Sequence, residues 1–278
     1  MVDIGHLRQW VGRSVEDEDV LAPRHAGLMA ATLGLDPAPF VAGAPLPPLW
    51  HWLYFLEGLP PAALAEDGHA GRGGFLPPVP LHNRLWAGGR VSFAAPLTLG
   101  ARAEKRSTIL AVEGKTGRSG ELVFVTVLHE LSQGGTLAVR EEQDLVYRNP
   151  GPPAAAPAGV ALPVAAHSEP WAPDAVELFR YSALTFNGHR IHYDADYCRQ
   201  AEGYAQIVVH GPLSATRLAL LAQRLLGQPL GQFDYRGLQP ALLGARLNLH
   251  GHREGREATV WVGLPDGTAT MLARARAA

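Results

Sequence analysis

The residues that could exchange protons with a substrate are concentrated in one segment, Phe179–Leu213. Its polar side chains include His189, His192, His210, Asn187, Arg180, Arg190 and Asp194. Imidazole titrates close to neutral pH, so such a group of histidines can act in general acid–base chemistry. Within the same segment, Gly211 and Pro212 are typical of a helix start, where backbone N–H groups stabilise negative charge. The segment therefore predicts an active site for proton transfer.

The elements around this segment must position it. Phe179–Phe186 is strand-like and leads into Asn187–Gly188, a dipeptide typical of turns. A short helix is expected at Ala195–Ala205, followed by a strand-like Ile207–Val209. Leu213–Leu226 is strongly helical, and Gly227 would end that helix.

The two halves of the chain show the same order of predicted elements, an apolar helix and then several strands. In the first half the helix is predicted at Ala22–Gly34, and in the second it is Leu213–Leu226. Turn residues and alternating apolar positions predict strands at Arg90–Leu99, Ser107–Glu113, Glu121–Leu131, Thr136–Tyr147, Arg246–His252, Glu257–Leu264 and Thr268–Arg274. This order indicates an internal duplication of an α+β unit.

A proline- and alanine-rich segment, Asn149–Pro170, separates the halves and is predicted to be an extended linker. The predicted units are residues 1–148 and 171–278. Gly71–Gly74 and Ala87–Arg90 are glycine-rich but lack the Lys-Ser/Thr of a phosphate-binding loop, so we expect a loop and a turn there.

The composition narrows the class of protein. Hydrophobic residues make up 47% and charged residues 18%, as in an ordinary globular enzyme, and the net charge of −2 gives no drive toward nucleic acid. We expect no membrane span and no signal peptide. The single cysteine, Cys198, fits a reducing compartment and is expected to pack on a helix. These features predict a cytoplasmic protein without nucleic-acid or membrane partners, and a homodimer is left open.

The segment Phe179–Leu213 resembles the signature of the MaoC-like (R)-specific enoyl-CoA hydratases. That signature runs Gly-Asp-x-Asn-Pro-x-His, with His-Gly about 18 residues later at the start of a long helix. Asn187 stands at the aspartate position, His189 at the asparagine position and His192 at the histidine position, and His210–Gly211 matches the later pair. The stretch is more similar still to the subgroup of mesaconyl-C4-CoA/itaconyl-CoA hydratases and 3-hydroxyacyl-thioester dehydratases. Arg84–Gly89, with Trp86, resembles the Trp-Ala-Gly-Gly segment of that subgroup.

The resemblance implies a fold and a reaction. The fold would be a double hot-dog, two fused units in which an antiparallel sheet wraps around a long helix, with a degenerate first unit that shapes the substrate pocket. The reaction would add or remove water across the α,β-bond of an acyl thioester, either an enoyl-CoA or a 3-hydroxyacyl thioester. No metal or redox cofactor is expected, because the thioester carbonyl itself activates the β-carbon.

The resemblance also implies roles for three residues. His192 would be the general acid/base. An asparagine cannot accept a proton as the family's aspartate can, so Asn187 would only hold the water by hydrogen bonds. Gly211 N–H would polarise the thioester carbonyl from the positive end of a helix.

Other residues keep two interpretations. His189 either orients the turn or touches substrate, and His210 either lines the site or positions its loop. Arg180 and Arg190 are either structural or bind a phosphate or carboxylate, for which Arg84 is a third candidate. An aromatic cluster is expected in the core or at a domain interface, with an acyl-chain pocket as the alternative; it consists of Trp50, His51, Trp52 and Tyr54.

Two rival functions remain at the level of sequence. A thioesterase on the same fold would direct water at the carbonyl carbon and release CoA. A non-catalytic acyl-CoA-binding module would bind the thioester without changing it. The sequence favours the hydratase/dehydratase.

Overall fold

The computed structural model describes residues 2–117, 120–150 and 161–278. Within these residues, ten antiparallel strands form one sheet in the order β1-β3-β4-β5-β2-β7-β10-β9-β8-β6. The strands are β1 Ser14–Val20, β2 Asn83–Phe93, β3 Arg102–Gly117, β4 Gly120–Gln133, β5 Thr136–Arg148, β6 His167–Trp171, β7 Leu230–Gly237, β8 Leu247–Glu254, β9 Glu257–Gly263 and β10 Ala269–Ala277.

The sheet consists of two halves with identical strand order. From the outer edge to the centre, the first half runs β1-β3-β4-β5-β2 and the second runs β6-β8-β9-β10-β7. The first strand of each half forms the edge, and the second strand of each lies at the centre. This is the duplication that the order of elements predicts.

The halves are joined where β2 pairs with β7. Gly88 lies opposite Arg236 and Gly89 opposite Tyr235. A Cβ atom on Gly88 would lie 2.5 Å from the carbonyl oxygen of Tyr235, so the two strands approach too closely for a side chain. The prediction of a turn at Ala87–Arg90 was therefore wrong, because these glycines are needed inside a strand.

The halves differ in their helices. α5, Gly211–Leu226, packs against β7, β8, β9 and β10 and buries nine of its residues. In the first half, the predicted helix is α2, Pro23–Thr32, with 10 residues, and it packs against α3 instead. The other helices are α1 Ile4–Leu7, α3 Ala175–Leu184 and α4 Ala195–Tyr197, the last continued by a π-turn over Cys198–Glu202.

Several predicted elements near the site differ in the structure. Phe179–Phe186 is not a strand but belongs largely to α3, whose N-terminus is capped by Asp174 and which buries every third residue, Leu178, Tyr181 and Leu184. Ile207–Val209 contributes only an isolated bridge between Val208 and Leu242.

The boundary between the halves also differs from the prediction. The predicted linker, 149–170, includes most of β6, so the second half begins earlier than expected. Residues 151–160 of that segment lie outside the described residues. Strands β1 and β7 were not predicted. In the described part of the chain, no helix is both long and apolar enough to cross a membrane.

Candidate active site

A tight turn after α3 places Asn187. Phe186 adopts a left-handed conformation with φ 48°, and Asn187 N–H then donates to the carbonyl of Ser182 at 2.8 Å. The Asn187 side-chain oxygen accepts from His189 N–H at 2.9 Å, which closes the turn. One acceptor site of Asn187 is thus used to shape the turn, and its amide group stays available to donate.

The protonation of His192 follows from its hydrogen bond. Its Nδ1 lies 2.8 Å from the carbonyl oxygen of Val208, and a carbonyl can only accept. Nδ1 therefore carries the hydrogen, and Nε2 has the lone pair that a general base needs. The side chain is 8% exposed, so its orientation is held by its surroundings.

His210 packs directly behind this base. Its ring stacks on that of His192 with centroids 3.7 Å apart, and its Nε2 lies 2.8 Å from Ser182 Oγ. Burial and the His210 ring hold the pKa of His192 well below its ordinary value of 6.5. Burial lowers the pKa of His210 to about 3. Both rings are therefore neutral at neutral pH, and His192 is ready to accept a proton.

Gly211 is the first residue of α5 and places backbone without a side chain in the same site. A Cβ atom there would lie 3.0 Å from a ring carbon of Trp86. The N–H groups of the first helical turn lack partners within the helix and carry its positive dipole end. Gly211 N–H can therefore stabilise negative charge on a bound oxygen atom.

One cavity of about 1300 Å³ connects these groups, and both halves of the chain line it. Six of the nine predicted site residues line it: Asn187, His189, His192, Gly211, Arg84 and Trp86. The first-half wall includes side chains of β2, β4 and β5 and the segment after α2. Because the sheet is continuous through β2 and β7, neither half encloses this space alone.

The other three predicted site residues do not line the cavity. His210 lies behind His192 and orients it. Arg190 forms an ion pair with Asp194 at 2.8 Å and covers the ring of Tyr197 at 4.2 Å. Arg180 is exposed on α3. For Arg190 the structure favours the structural interpretation, and Arg84 is the candidate cation that faces the cavity.

Comparison with known proteins decides the family. The family model for hydroxyacyl-thioester dehydratase type 2 matches residues 49–243, more than half of the chain. The mesaconyl-C(4)-CoA hydratase of Chloroflexus aurantiacus is 43% identical over 266 residues, covering 95% of each chain. The chain belongs to the hydroxyacyl-thioester dehydratase type 2 family. The predicted enzyme class, a hydro-lyase of the hydratase/dehydratase type, is confirmed by this membership.

Solved structures confirm the double hot-dog fold. HtdX of Mycobacterium tuberculosis superposes with a TM-score of 0.70 at 18% identity, covering 96% of this chain and 100% of that one. A second M. tuberculosis protein, described as having a double hotdog fold, gives a TM-score of 0.63 at 14% identity, with 95% of each chain covered. At such identities the likeness concerns the fold alone.

Sequence reasoning missed a hydrogen-bonded pair from the first half, Asp67 and His69, of which His69 lines the cavity. His69 Nδ1 lies 2.9 Å from Asp67 Oδ2, and the His69 ring lies 4.1 Å from that of His189. Their spacing around Gly68 was a signal, since an Asp-x-His loop can form such a pair, but nothing in the sequence connects it to the distant turn at Asn187.

A second missed group is the buried carboxylate of Glu141 on β5. It is 1% exposed, and it accepts hydrogen bonds from His51 at 2.8 Å and from Trp52 at 2.9 Å. Burial alone would raise the pKa of Glu141, but the hydrogen bonds from His51 and Trp52 and the charges of His51 and His129 together lower it. Trp52 thus contacts a polar group of the cavity wall, and its ring also packs against that of Trp86, with the ring centroids 5.1 Å apart.

Among the described residues, one group has metal-ligating atoms within 4.8 Å of one another: Asp67, His69 and His189. The side chains of Asp67 and His69 are already hydrogen-bonded to each other. The positive charge of Arg84 acts on both of them. A nearby guanidinium opposes binding of a divalent cation, so a hydrogen-bonded pair is the better description of Asp67 and His69.

Proposed function

We propose that the protein hydrates a short enoyl-CoA that carries a second carboxylate, with mesaconyl-C4-CoA as the first candidate substrate. The observation that carries this proposal is the neutral His192, with its Nε2 lone pair, in one cavity with Gly211 at the start of α5. The 43% identity to a mesaconyl-C(4)-CoA hydratase supports the choice of substrate.

The thioester carbonyl would be held at the start of α5. Its oxygen accepts a hydrogen bond from Gly211 N–H, and the helix dipole adds to the attraction as negative charge develops. One such donor contributes about 10²–10³-fold to the rate in comparable sites. No metal or redox group is needed in this proposal, because the carbonyl withdraws electrons from the β-carbon.

His192 would transfer the proton. Its Nε2 takes one hydrogen from the water while the water oxygen bonds to the β-carbon, and the electron pair of the double bond moves toward the carbonyl oxygen. The imidazolium then returns the proton to the α-carbon, which restores the thioester and the neutral base. The Asn187 amide donates to the water oxygen and holds it in place. Dehydration is the same sequence reversed.

Arg84 would bind the second carboxylate. In mesaconyl-C4-CoA the carbon that receives the hydroxyl group also bears the carboxylate, so the cation must lie near the water. Arg84 lines the cavity and acts electrostatically on His69, whose ring packs on that of His189. Guanidinium groups bind carboxylates with two parallel hydrogen bonds.

The test is a panel of crotonyl-, mesaconyl-C4- and itaconyl-CoA, followed by the absorbance of the enoyl band and by a thiol reagent that detects free CoA. We expect hydration, fastest with mesaconyl-C4-CoA, and a loss of about 10²–10⁴-fold in His192→Ala. Release of CoA without hydration would identify a thioesterase. Binding without any change would identify an acyl-CoA-binding module.

A charge variant tests the substrate assignment. Arg84→Gln should lower kcat/KM for mesaconyl-C4-CoA by about 10–100-fold, the size of a lost charged hydrogen bond, with little change for crotonyl-CoA. Arg246→Gln, an exposed arginine outside the cavity, is the control. Equal losses with both substrates would contradict the role of Arg84. The same measurement on Arg180 and Arg190 tests the other two candidates.

Assembly and location stay predictions. A cytoplasmic location is supported by the single cysteine, Cys198, which is buried and unpaired by any disulfide. Sedimentation of the purified protein would decide between a monomer and a homodimer.

A further inference from the structure

A loop of the first half is attached to the catalytic turn of the second. Arg190 N–H donates to the carbonyl of Asp67 at 2.9 Å. Gly68 has φ 86°, and a Cβ atom there would overlap the carbonyl oxygen of Gly188. Because only glycine allows this approach, the loop sits directly on the turn that carries Asn187 and His189. The neighbouring side chains Asp67 and His69 are therefore held in a defined position.

The tautomer of His69 follows from Asp67. Burial alone would raise the pKa of Asp67, but hydrogen bonds from His69 hold it well below its ordinary value, so the side chain is a carboxylate. A carboxylate can only accept, so His69 Nδ1 carries the hydrogen. Burial lowers the pKa of His69 to about 4, so the ring is neutral. Its Nε2 is then a hydrogen-bond acceptor.

This acceptor lies in the same row of rings as the proposed base. The centroid of His69 is 4.1 Å from that of His189, which is 5.5 Å from that of His192. All three residues line the cavity. The two nitrogens with free lone pairs, His69 Nε2 from the first half and His192 Nε2 from the second, therefore belong to rings that line the same cavity as Asn187.

The reaction needs two acceptors for one water molecule. One hydrogen of the water passes to His192, and the other must be held so that an oxygen lone pair points at the β-carbon. Asn187 offers at most one remaining acceptor site for this second purpose, because its oxygen already accepts from His189 N–H. A carboxylate at the same position would have acceptor sites to spare.

We propose that His69 is a further catalytic residue, whose Nε2 accepts the second hydrogen of the attacking water, and that Asp67 is its positioning residue. The inference depends on the proposed hydratase function. No proton is transferred to His69: the hydrogen that it accepts stays on the oxygen and becomes the hydrogen of the product hydroxyl. The other hydrogen moves from water to His192 and then to the α-carbon, so the atoms balance.

Removal of the ring tests the role directly. His69→Ala should lower kcat for the best substrate of the panel by about 10²-fold, with KM changed less than about threefold. Asp67→Asn should be as harmful, because its amide can donate to Nδ1 and move the hydrogen onto Nε2. His82→Ala, an exposed histidine outside the cavity, is the control. A purely structural loop would tolerate Asp67→Asn, which keeps the shape of the side chain.

A rescue variant separates catalysis from folding. Asn187→Asp keeps the acceptor for His189 N–H and adds a second one for water, so it should restore at least about tenfold of kcat in His69→Ala. Circular dichroism checks the fold, and His69→Gln replaces His69→Ala if that variant does not fold. An unimpaired His69 variant, or an impaired one that Asn187→Asp does not rescue, would overturn the proposal.

Two further results are informative. If a chelator abolishes activity and a divalent cation restores it, the trio of Asp67, His69 and His189 binds metal and the acceptor role is wrong. If the wild type hydrates no member of the panel, the proposed function is wrong. If the wild type is active and His69→Ala is equally active, only the inference about His69 is wrong.

Discussion

The two halves of the sheet have the same strand order but use the face of that sheet differently. In the second half α5 lies across β7, β8, β9 and β10, and Gly251 leaves space for the side chain of Leu225. In the first half β4 and β5 present His129, Glu141 and Leu145 to the cavity instead. One half is filled by a helix, and the other leaves room for a ligand.

Because of this difference, the two halves contribute different parts of the site. A long helix supplies backbone N–H groups and a dipole at its first residue, and within the described residues only the second half has one, beginning at Gly211. The first half supplies volume and polar side chains. Duplication of one unit, with a helix in one copy that is shorter and packs away from the sheet, would thus create a site that neither copy could form alone.

The largest effect is expected where the halves join. Gly88→Ala places a Cβ atom 2.5 Å from the Tyr235 carbonyl oxygen, which is backbone and cannot move without breaking the β2–β7 pairing. We expect a loss of about 4 kcal/mol or more in the free energy of unfolding, measured with urea. Gly58→Ala, where a Cβ atom would meet nothing within 4 Å, is the control. Similar stabilities would mean that the halves are joined more loosely.

The next effect concerns the polar wall of the first half. Glu141→Gln removes a buried charge from the pair with His51, 2.8 Å away, and should lower the free energy of unfolding by about 3 kcal/mol at pH 7. Glu142→Gln, the next residue on the strand with partly exposed ion pairs, should lose less than about 1 kcal/mol. Equal losses in the free energy of unfolding would show that the buried pair stabilises the protein no more than the partly exposed pairs do.

The Glu141–His51 pair also predicts the direction in which stability changes with pH. The folded-state pKa of Glu141 is lowered, so its contribution to stability is present above the unfolded value of 4.5 and is lost as pH falls through the folded pKa. The difference in the free energy of unfolding between the wild type and Glu141→Gln should therefore become smaller below pH 4.5. A constant difference would indicate that the carboxylate is not the titrating group.

The sequence predicted more of the second half than of the first. A local signature named Asn187, His192 and Gly211, and the structure brings all three to one cavity, because turns and helix starts depend on neighbouring residues. Asp67, His69 and Glu141 could not be placed, since their partners lie on distant segments. The stretch before Asn187 was mistaken for a strand because β-branched and aromatic residues there obscured the helical spacing of Leu178, Tyr181 and Leu184.

A fourth prediction separates activity from stability in the second half. Gly211→Ala adds a methyl group 3.0 Å from the Trp86 ring, where the thioester would approach Gly211 N–H. We expect kcat to fall by about 10²–10³-fold, because the carbonyl is displaced from its donor. Stability should be unchanged or higher by up to about 1 kcal/mol, since alanine favours helices. Gly74→Ala, in open space, is the control for both measurements. A parallel loss of stability would mean that Gly211 serves only packing.

The smallest effect should be that of pH on the wild-type activity. Burial and His210 hold the pKa of His192 well below 6.5, and the pKa values of His210 and His69 are about 3 and about 4. The base form of His192 is thus already complete at pH 6, and lowering the pH from 8 to 6 should change kcat/KM by less than about twofold. An inflection near 6.5 would show that the imidazole is solvated, as in an open site. The flat profile is then a direct consequence of the burial of His192 and of the His210 ring that stacks on it.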